Sequence, residues 1–297
     1  MIPSLSPNPI DDLQQLFTYP FMVNALEAGT IVAVLAGVVG WYVVLRRQTF
    51  ASHTLSVMAF PGAAGAALAG LPTALGYYIA CTAAALAIGR TGRSGSGGRD
   101  RIPQGSESAV IGTVQTVGLA AGFLFLSLNH AVLGGPETLL FGTFLGITRG
   151  QVLVLLLVAL ATLAALAALA RPLLFASVDP EVARASGVPV ALLDALFLLV
   201  LGLAIAATSQ LTGALLVFAL LVAPPAAAQR LTLRPLAGLV LTVVLALVTV
   251  WLALAIAYFS IYPVGFYVTT IGFAVYVLAR VVSSRPPHLR RRRRRRR

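Results

Sequence analysis

The sequence predicts an all-α fold, a polytopic membrane helical bundle of about nine spans with its N-terminus outside and its C-terminus inside. Three observations carry this expectation. Of 297 residues, 59% are hydrophobic and only 10% charged, against about 45–50% and about 25% in soluble domains, and the mean hydropathy is +0.93. Nine stretches supply the roughly 20 apolar residues that a crossing helix needs: 21–45, 50–70, 72–89, 109–128, 150–170, 191–209, 211–229, 236–258 and 264–282. All 21 basic residues are arginines, and their spacing orients those stretches. So few charges cannot clothe a soluble enzyme or a nucleic-acid-binding domain.

Residues 1–20 read as an extracytoplasmic segment. Met1 to Tyr19 carries no basic residue and includes Asp11 and Asp12, which is unlike a signal peptide. A transmembrane domain then occupies 21–282. Nine spans starting outside place Arg46, Arg47, the loop 90–108, Arg171, Arg184, Arg230, Arg234 and the tail in the cytoplasm, and leave only Arg149 outside. The reverse orientation puts 20 of 21 arginines on the wrong side. The loop 90–108 is rich in Gly, Ser and Arg and reads as flexible. A further run, 137–148, is too short and glycine-rich to cross, and reads as a re-entrant or interfacial segment. Removing the eight arginines at 290–297 takes the net charge from +12 to +4. The tail 283–297 is therefore read as a cytoplasmic retention and anionic-lipid signal, with no nucleic acid as partner. Without a lysine there is no Walker A Gly-Lys-Ser/Thr, so the chain is not a P-loop ATPase by itself. The single cysteine, Cys81, excludes an internal disulfide and a thiolate-cluster metal site.

Three features exceed what a generic bundle requires. The second span opens TFASHTLSVMAFPGAAGAALAG, with His53 about 9 Å along the axis from Arg47 and Val57 one turn further on the same face. Pro61 lacks an N–H and frees the carbonyl of Val57. Gly62, Ala66 and Gly70 form a small-residue stripe for close helix approach. A histidine beside a freed carbonyl fits a stop on a cation path; it equally fits an inner-interface histidine hydrogen-bonded to a neighbouring helix. Next, spans six and seven meet at the polar turn Thr208–Gly213, and Pro224-Pro225 are expected to interrupt span seven and free the carbonyls of Leu220 and Leu221. A structural kink is the other reading. Asp194 lies near the inner end of span six, facing a cavity or the interface. Last, the cytoplasmic loop 173–190 contains a bounded short helix: Asp179 as N-cap, Pro180 at the first position, Glu181 on the helix dipole and Gly187 as the stop.

Three stretches together resemble the ABC-3 family of permeases, the membrane subunits of bacterial zinc, manganese and iron ABC importers. They are VVLRRQTFASHTLSVMAFPGAAGAALAG, then SESAVIGTVQTVGLAAGFLFLS with LLFGTFLGIT, and the run from VDPEVARASGVPVALLDAL to LLVFALLVAPPAAAQRLT. The resemblance implies alternating access in the bacterial cytoplasmic membrane, as a homodimer or heterodimer of permeases. It implies cytoplasmic ATPase subunits that bind ATP, an extracytoplasmic metal-binding protein, a transported divalent metal ion and no permanently bound cofactor. It places the ATPase-coupling helix at Asp179, Pro180, Glu181, Arg184, Ala185 and Gly187. Family members typically carry an Asp and, four residues later, a His in the second span; here those positions are His53 and Val57. The resemblance therefore leaves His53 as a transient metal ligand on a pathway with Val57, Pro61, Asp194, Pro224 and Pro225. Imidazole suits zinc and other transition metals. The competing classes are a secondary transporter or exporter independent of ATP, for which Glu27 and Asp194 are the available acids, and a non-transporting scaffold.

Overall fold

The computed structural model describes residues 17–94, 104–129, 142, 146–260 and 262–283, and among them it holds ten helices and no strand. These are α1 (Pro20–Leu45), α2 (Thr49–Leu68), α3 (Thr73–Ser94), α4 (Gln104–Leu128), α5 (Arg149–Val178), α6 (Pro180–Ala185), α7 (Val190–Thr212), α8 (Ala214–Leu231), α9 (Pro235–Tyr258) and α10 (Val264–Ser283). Each of the nine apolar stretches holds one helix, and α6 is the short helix between them. Helices outrun the apolar runs where nothing stops them. Thus α3 reaches Ser94 and α4 begins at Gln104, so both ends of the 90–108 loop are helical. Most of the 137–148 run and the tail beyond Ser283 lie outside the described residues. The start of α5 is fixed by a capping box, in which Thr148 Oγ1 accepts from the Gln151 N–H and Gln151 Oε1 accepts from the Thr148 N–H at 2.9 Å.

Among the described residues, six helices are long and apolar enough to cross a membrane: α1, the Ile111–Leu128 part of α4, α5, α7, α9 and α10. The more polar α2 sits inside the bundle, against α1, α3, α4, α7 and α8. Lipid does not have to solvate it, so it tolerates buried Ser52, Thr54 and Ser56. Their hydroxyls donate to the carbonyls of Thr49, Phe50 and Ser52 at 2.8–3.1 Å, which satisfies them within the helix. The peripheral α4, α5, α9 and α10 carry the exposed apolar surface, including Leu157, Val240, Phe273 and Leu278.

Helix ends gather in two groups. The end of α1 meets the end of α5 and the start of α7 around Arg46. At the opposite pole, Asn24 donates to the carbonyl of Ile147 at 3.0 Å, and Tyr19 and Phe21 pack on Tyr258 at 6.4 and 6.5 Å between ring centroids. Aromatic rings of this kind collect where a helix leaves the hydrocarbon.

Within the bundle, small residues set the packing. A Cβ at Gly62 would collide with the carbonyl oxygen of Gly76 and with Ala80, and a Cβ at Gly76 would collide with the carbonyl of Gly62. The stripe expected on α2 thus works through Gly62 and Ala66 against α3. Gly70 does not belong to it; it lies past the helix end with nothing within 4 Å of its would-be Cβ. The expected interruption at Pro224-Pro225 is also corrected: α8 stays helical through both prolines, as α2 does through Pro61. Pro225 cannot donate to Leu221, and that carbonyl is instead covered by Gly40 of α1, which packs directly on it. The break lies about three turns earlier, at Gly213, whose φ of +77° ends α7 and starts α8 in one residue.

Gly62→Val is expected to cost about 1–3 kcal/mol by overpacking the α2–α3 contact. Gly112→Ala, whose new Cβ meets nothing within 4 Å, should leave stability unchanged or slightly raised. Thermal unfolding of the detergent-solubilised protein compares the two.

Candidate functional site

His53 projects from α2 to the place where α2, α4 and α8 converge. Its ring meets Phe218 of α8 edge-on, with centroids 4.7 Å apart and planes at 60°. Its Nε2 lies 3.2 Å from the side-chain amide of Gln115 on α4. The other ring nitrogen, Nδ1, is buried without a hydrogen-bond partner. Val57 and Pro61 are buried further along α2, and Pro224 and Pro225 are buried on α8. Sequence reasoning singled out His53 but missed Gln115; the available signal was the single amide in the run VIGTVQTVGLAAGF, which is apolar apart from it, Thr113 and Thr116. A second unpartnered buried group, Ser209 Oγ, lies near the α7–α8 break with Thr208 and Thr212, both also buried. Among the described residues, no three His, Cys, Asp or Glu side chains come together. What converges at His53 is therefore a neutral set: one imidazole, one amide and an aromatic edge.

Asp194 stands apart from this cluster. It pairs with Arg46, whose side chain is only 5% exposed while that of Asp194 is 42% exposed. Arg46 also donates to the carbonyl of Leu173 at 3.3 Å and to Ser177 Oγ at 3.0 Å, and its guanidinium lies 5.3 Å from the Phe197 ring centroid. One planar fork thus joins α1 to the last turns of α5 and the second turn of α7. The placement suits the charges, because Arg46 sits at the negative end of the α5 dipole and Asp194 near the positive end of α7.

Between those two helices lies α6. Asp179 accepts from the N–H groups of Glu181 and Val182 at 3.1 and 3.0 Å, with Pro180 at the first helical position. Gly187, at φ +82°, then ends it, with Gly187 N–H donating to Arg184 and Val188 N–H to Ala183, both at 3.0 Å. Ala183 is fully buried and anchors the helix, while Glu181, Arg184 and Ala185 are exposed. Beside them Phe175, Val178 and Val182 expose an apolar patch, at 41%, 75% and 50%.

An all-helical bundle with membrane-length helices and a short capped helix between two of them defines a multi-pass membrane protein. The chain belongs to the ABC 3 transport family, whose model matches residues 18–283. It is a bacterial multi-pass membrane permease, the membrane subunit of an ATP-binding cassette importer, with ATP hydrolysis assigned to a separate subunit. It is 30% identical over 220 residues to the manganese transport system membrane protein MntC of Halalkalibacterium halodurans, covering 74% of this chain and 73% of that one. It is 31% identical over 222 residues to the chelated iron transport system membrane protein YfeC of Yersinia pestis, covering 75% and 72%. The fold matches that of PsaBC from Streptococcus pneumoniae, solved in complex with Fab, with a TM-score of 0.78 at 23% identity over 92% of this chain and 95% of that one.

The two partners of the ion pair should not be equivalent. Asp194→Ala strands a buried guanidinium and is expected to cost on the order of 3 kcal/mol. Arg46→Met leaves a carboxylate that water already reaches, and Ser177 still donates to Leu173, so a smaller loss is expected. Unfolding midpoints of the two variants in detergent give the order.

Proposed function

We propose that this permease imports a divalent transition metal ion (zinc, manganese or iron) by alternating access, with His53 as a transient ligand. The observation that carries the proposal is the buried, unpartnered Nδ1 of His53 at the α2–α8 contact, in a chain related to manganese and chelated-iron permeases. A translocation site must release what it binds, so one neutral nitrogen with amide and hydroxyl neighbours suits passage better than a full ligand shell. The pathway runs along α2, α7 and α8, past Val57, Pro61, Pro224 and Pro225. Asp194 braces Arg46 at its inner end.

Nine crossings are proposed: α1–α5 and α7–α10, with the Arg46 pole in the cytoplasm. The positive-inside rule supports this orientation, since Arg46, Arg184, Arg230 and Arg234 lie towards that pole and Arg149 opens α5 at the other. Helix α6, with Asp179, Pro180, Glu181, Arg184, Ala185 and Gly187, is proposed as the coupling helix. Its exposed Val182, together with Phe175 and Val178, offers an ATPase subunit an apolar docking patch. An extracytoplasmic metal-binding protein would dock on the outer face, around 129–136 and 259–264, of which 130–136 and 261 lie outside the described residues, and two permease subunits would form the assembly. The arginine tail would engage anionic lipid.

Mn2+ uptake into proteoliposomes containing the permease, its ATPase and its binding protein tests the reading. His53→Ala is expected to lower uptake about tenfold or more; unchanged uptake removes His53 from the mechanism. Val182→Asp is expected to abolish co-purification of the ATPase while leaving the melting temperature within a few degrees of the parent. Retained co-purification would move the docking site off α6.

A further inference from the structure

We infer that Gln115 is a positioning residue that fixes the tautomer of His53, keeping the proton on Nε2 and leaving the Nδ1 lone pair free as the ligand atom. The inference deepens the metal-transport reading and rests on it for the identity of the ligand's target. Its chemical core, the tautomer, can be read independently.

Hydrogen-bond accounting carries the argument. Thr54 Oγ1 lies 3.1 Å from the carbonyl oxygen of Phe50 and 3.4 Å from Gln115 Oε1, and the amide nitrogen of Gln115, Nε2, lies 3.2 Å from His53 Nε2. The two ends of a side-chain amide are told apart by what they can donate to or accept from. With the amide nitrogen turned to His53, Nε2 must be the acceptor and the proton sits on Nδ1. A buried N–H is then left without any acceptor. Thr54, with one hydrogen, would also face two acceptor oxygens, the Phe50 carbonyl and the amide oxygen.

Turning the amide by 180° resolves both conflicts. Thr54 donates to the Phe50 carbonyl, the Gln115 NH2 donates to Thr54 Oγ1, and His53 Nε2–H donates to the Gln115 oxygen. Every hydrogen in the group facing another residue has an acceptor. What remains unused is a lone pair on Nδ1, and an idle acceptor is a smaller burden than an orphaned buried N–H. A metal-binding imidazole commonly has its second nitrogen held in this way by a hydrogen-bond acceptor. The edge-on Phe218 restricts the ring from the α8 side.

The test is the nitrogen NMR spectrum of 15N-histidine-labelled full-length permease in detergent or nanodiscs. The chain has three histidines, His53, His130 and His288, and the His53 signals are those lost in His53→Ala. A nitrogen flanked by one carbon-bound ring proton, Nδ1, shows one strong two-bond coupling, while Nε2 shows two. The expected result is that the unprotonated His53 nitrogen carries the single-coupling pattern, and that added Zn2+ shifts that nitrogen. Gln115→Leu should convert His53 to a mixture of tautomers and lower Mn2+ uptake about tenfold or more. Gln115→Glu keeps an acceptor facing Nε2 and should retain the tautomer. An unprotonated Nε2 in the parent protein overturns the inference without touching the transport reading. A free Nδ1 that Zn2+ leaves unmoved overturns the ligand role. A tautomer unaltered by Gln115→Leu overturns the role of Gln115.

Discussion

The fold depends on how closely its helix backbones approach one another. Lipid chains are as apolar as leucine, so burying leucine does little to drive helices together inside a membrane, and close packing has to supply the association. Here it does so at points where no Cβ fits. Gly62 and Gly76 seat α2 on α3, each against the other's carbonyl, and Gly40 seats α1 on the carbonyl of Leu221 in α8. The second contact answers a need that α8 creates for itself, because Pro225 leaves that oxygen without its intrahelical donor. Close approach thus both binds the helices and shields a polar group that hydrocarbon would penalise.

Charge is used sparingly and mostly at the ends. Arg46 lies almost out of solvent, and it has a counterion, two neutral acceptors and an aromatic face at once. Each of those contacts comes from α5 or α7, the helices that flank α6. The interior around His53 uses hydroxyls and an amide instead. The two chemistries are separated for a physical reason. A pair next to the aqueous edge can be partly solvated, as Asp194 is, whereas an unpaired ion deep in the bundle would bear its full desolvation cost.

Most of the helical architecture was legible because hydropathy and cap chemistry are local signals. The nine apolar stretches each contain a helix, and Asp179, Pro180 and Gly187 bound α6 as their chemistry dictates. The errors share a cause. Pro224-Pro225 suggested a broken helix because a sequence cannot show that Gly40 covers the exposed carbonyl. Gly70 looked like a packing residue because periodicity alone does not reveal where α2 stops. Gln115 was overlooked because its meaning lies in a contact across 62 positions of chain. Asp194 raised two options that only its Arg46 partner could sort.

The same three-dimensional links join the proposed coupling helix to the proposed ligand. Helix α6 is only six residues long and is anchored by Ala183, so it cannot shift far without the helices on either side. One of those, α7, is tied to α1 and α5 through Asp194 and Arg46, and it runs without interruption to Gly213. There a single left-handed residue passes the chain into α8, whose second turn carries Phe218 against His53. A displacement at α6 therefore has a covalent and largely helical route to the ring that restricts His53. Between α7 and α8 that route turns at Gly213, at φ +77°, where a hinge would turn translation of α7 into rotation of α8. Loss of the Phe218 edge would remove the restriction on the α8 side of the ring, while Gln115 on the separate helix α4 continued to hold Nε2. Retention and release of a bound ion would then differ by the position of one aromatic side chain, with the ligand atom and its tautomer unchanged.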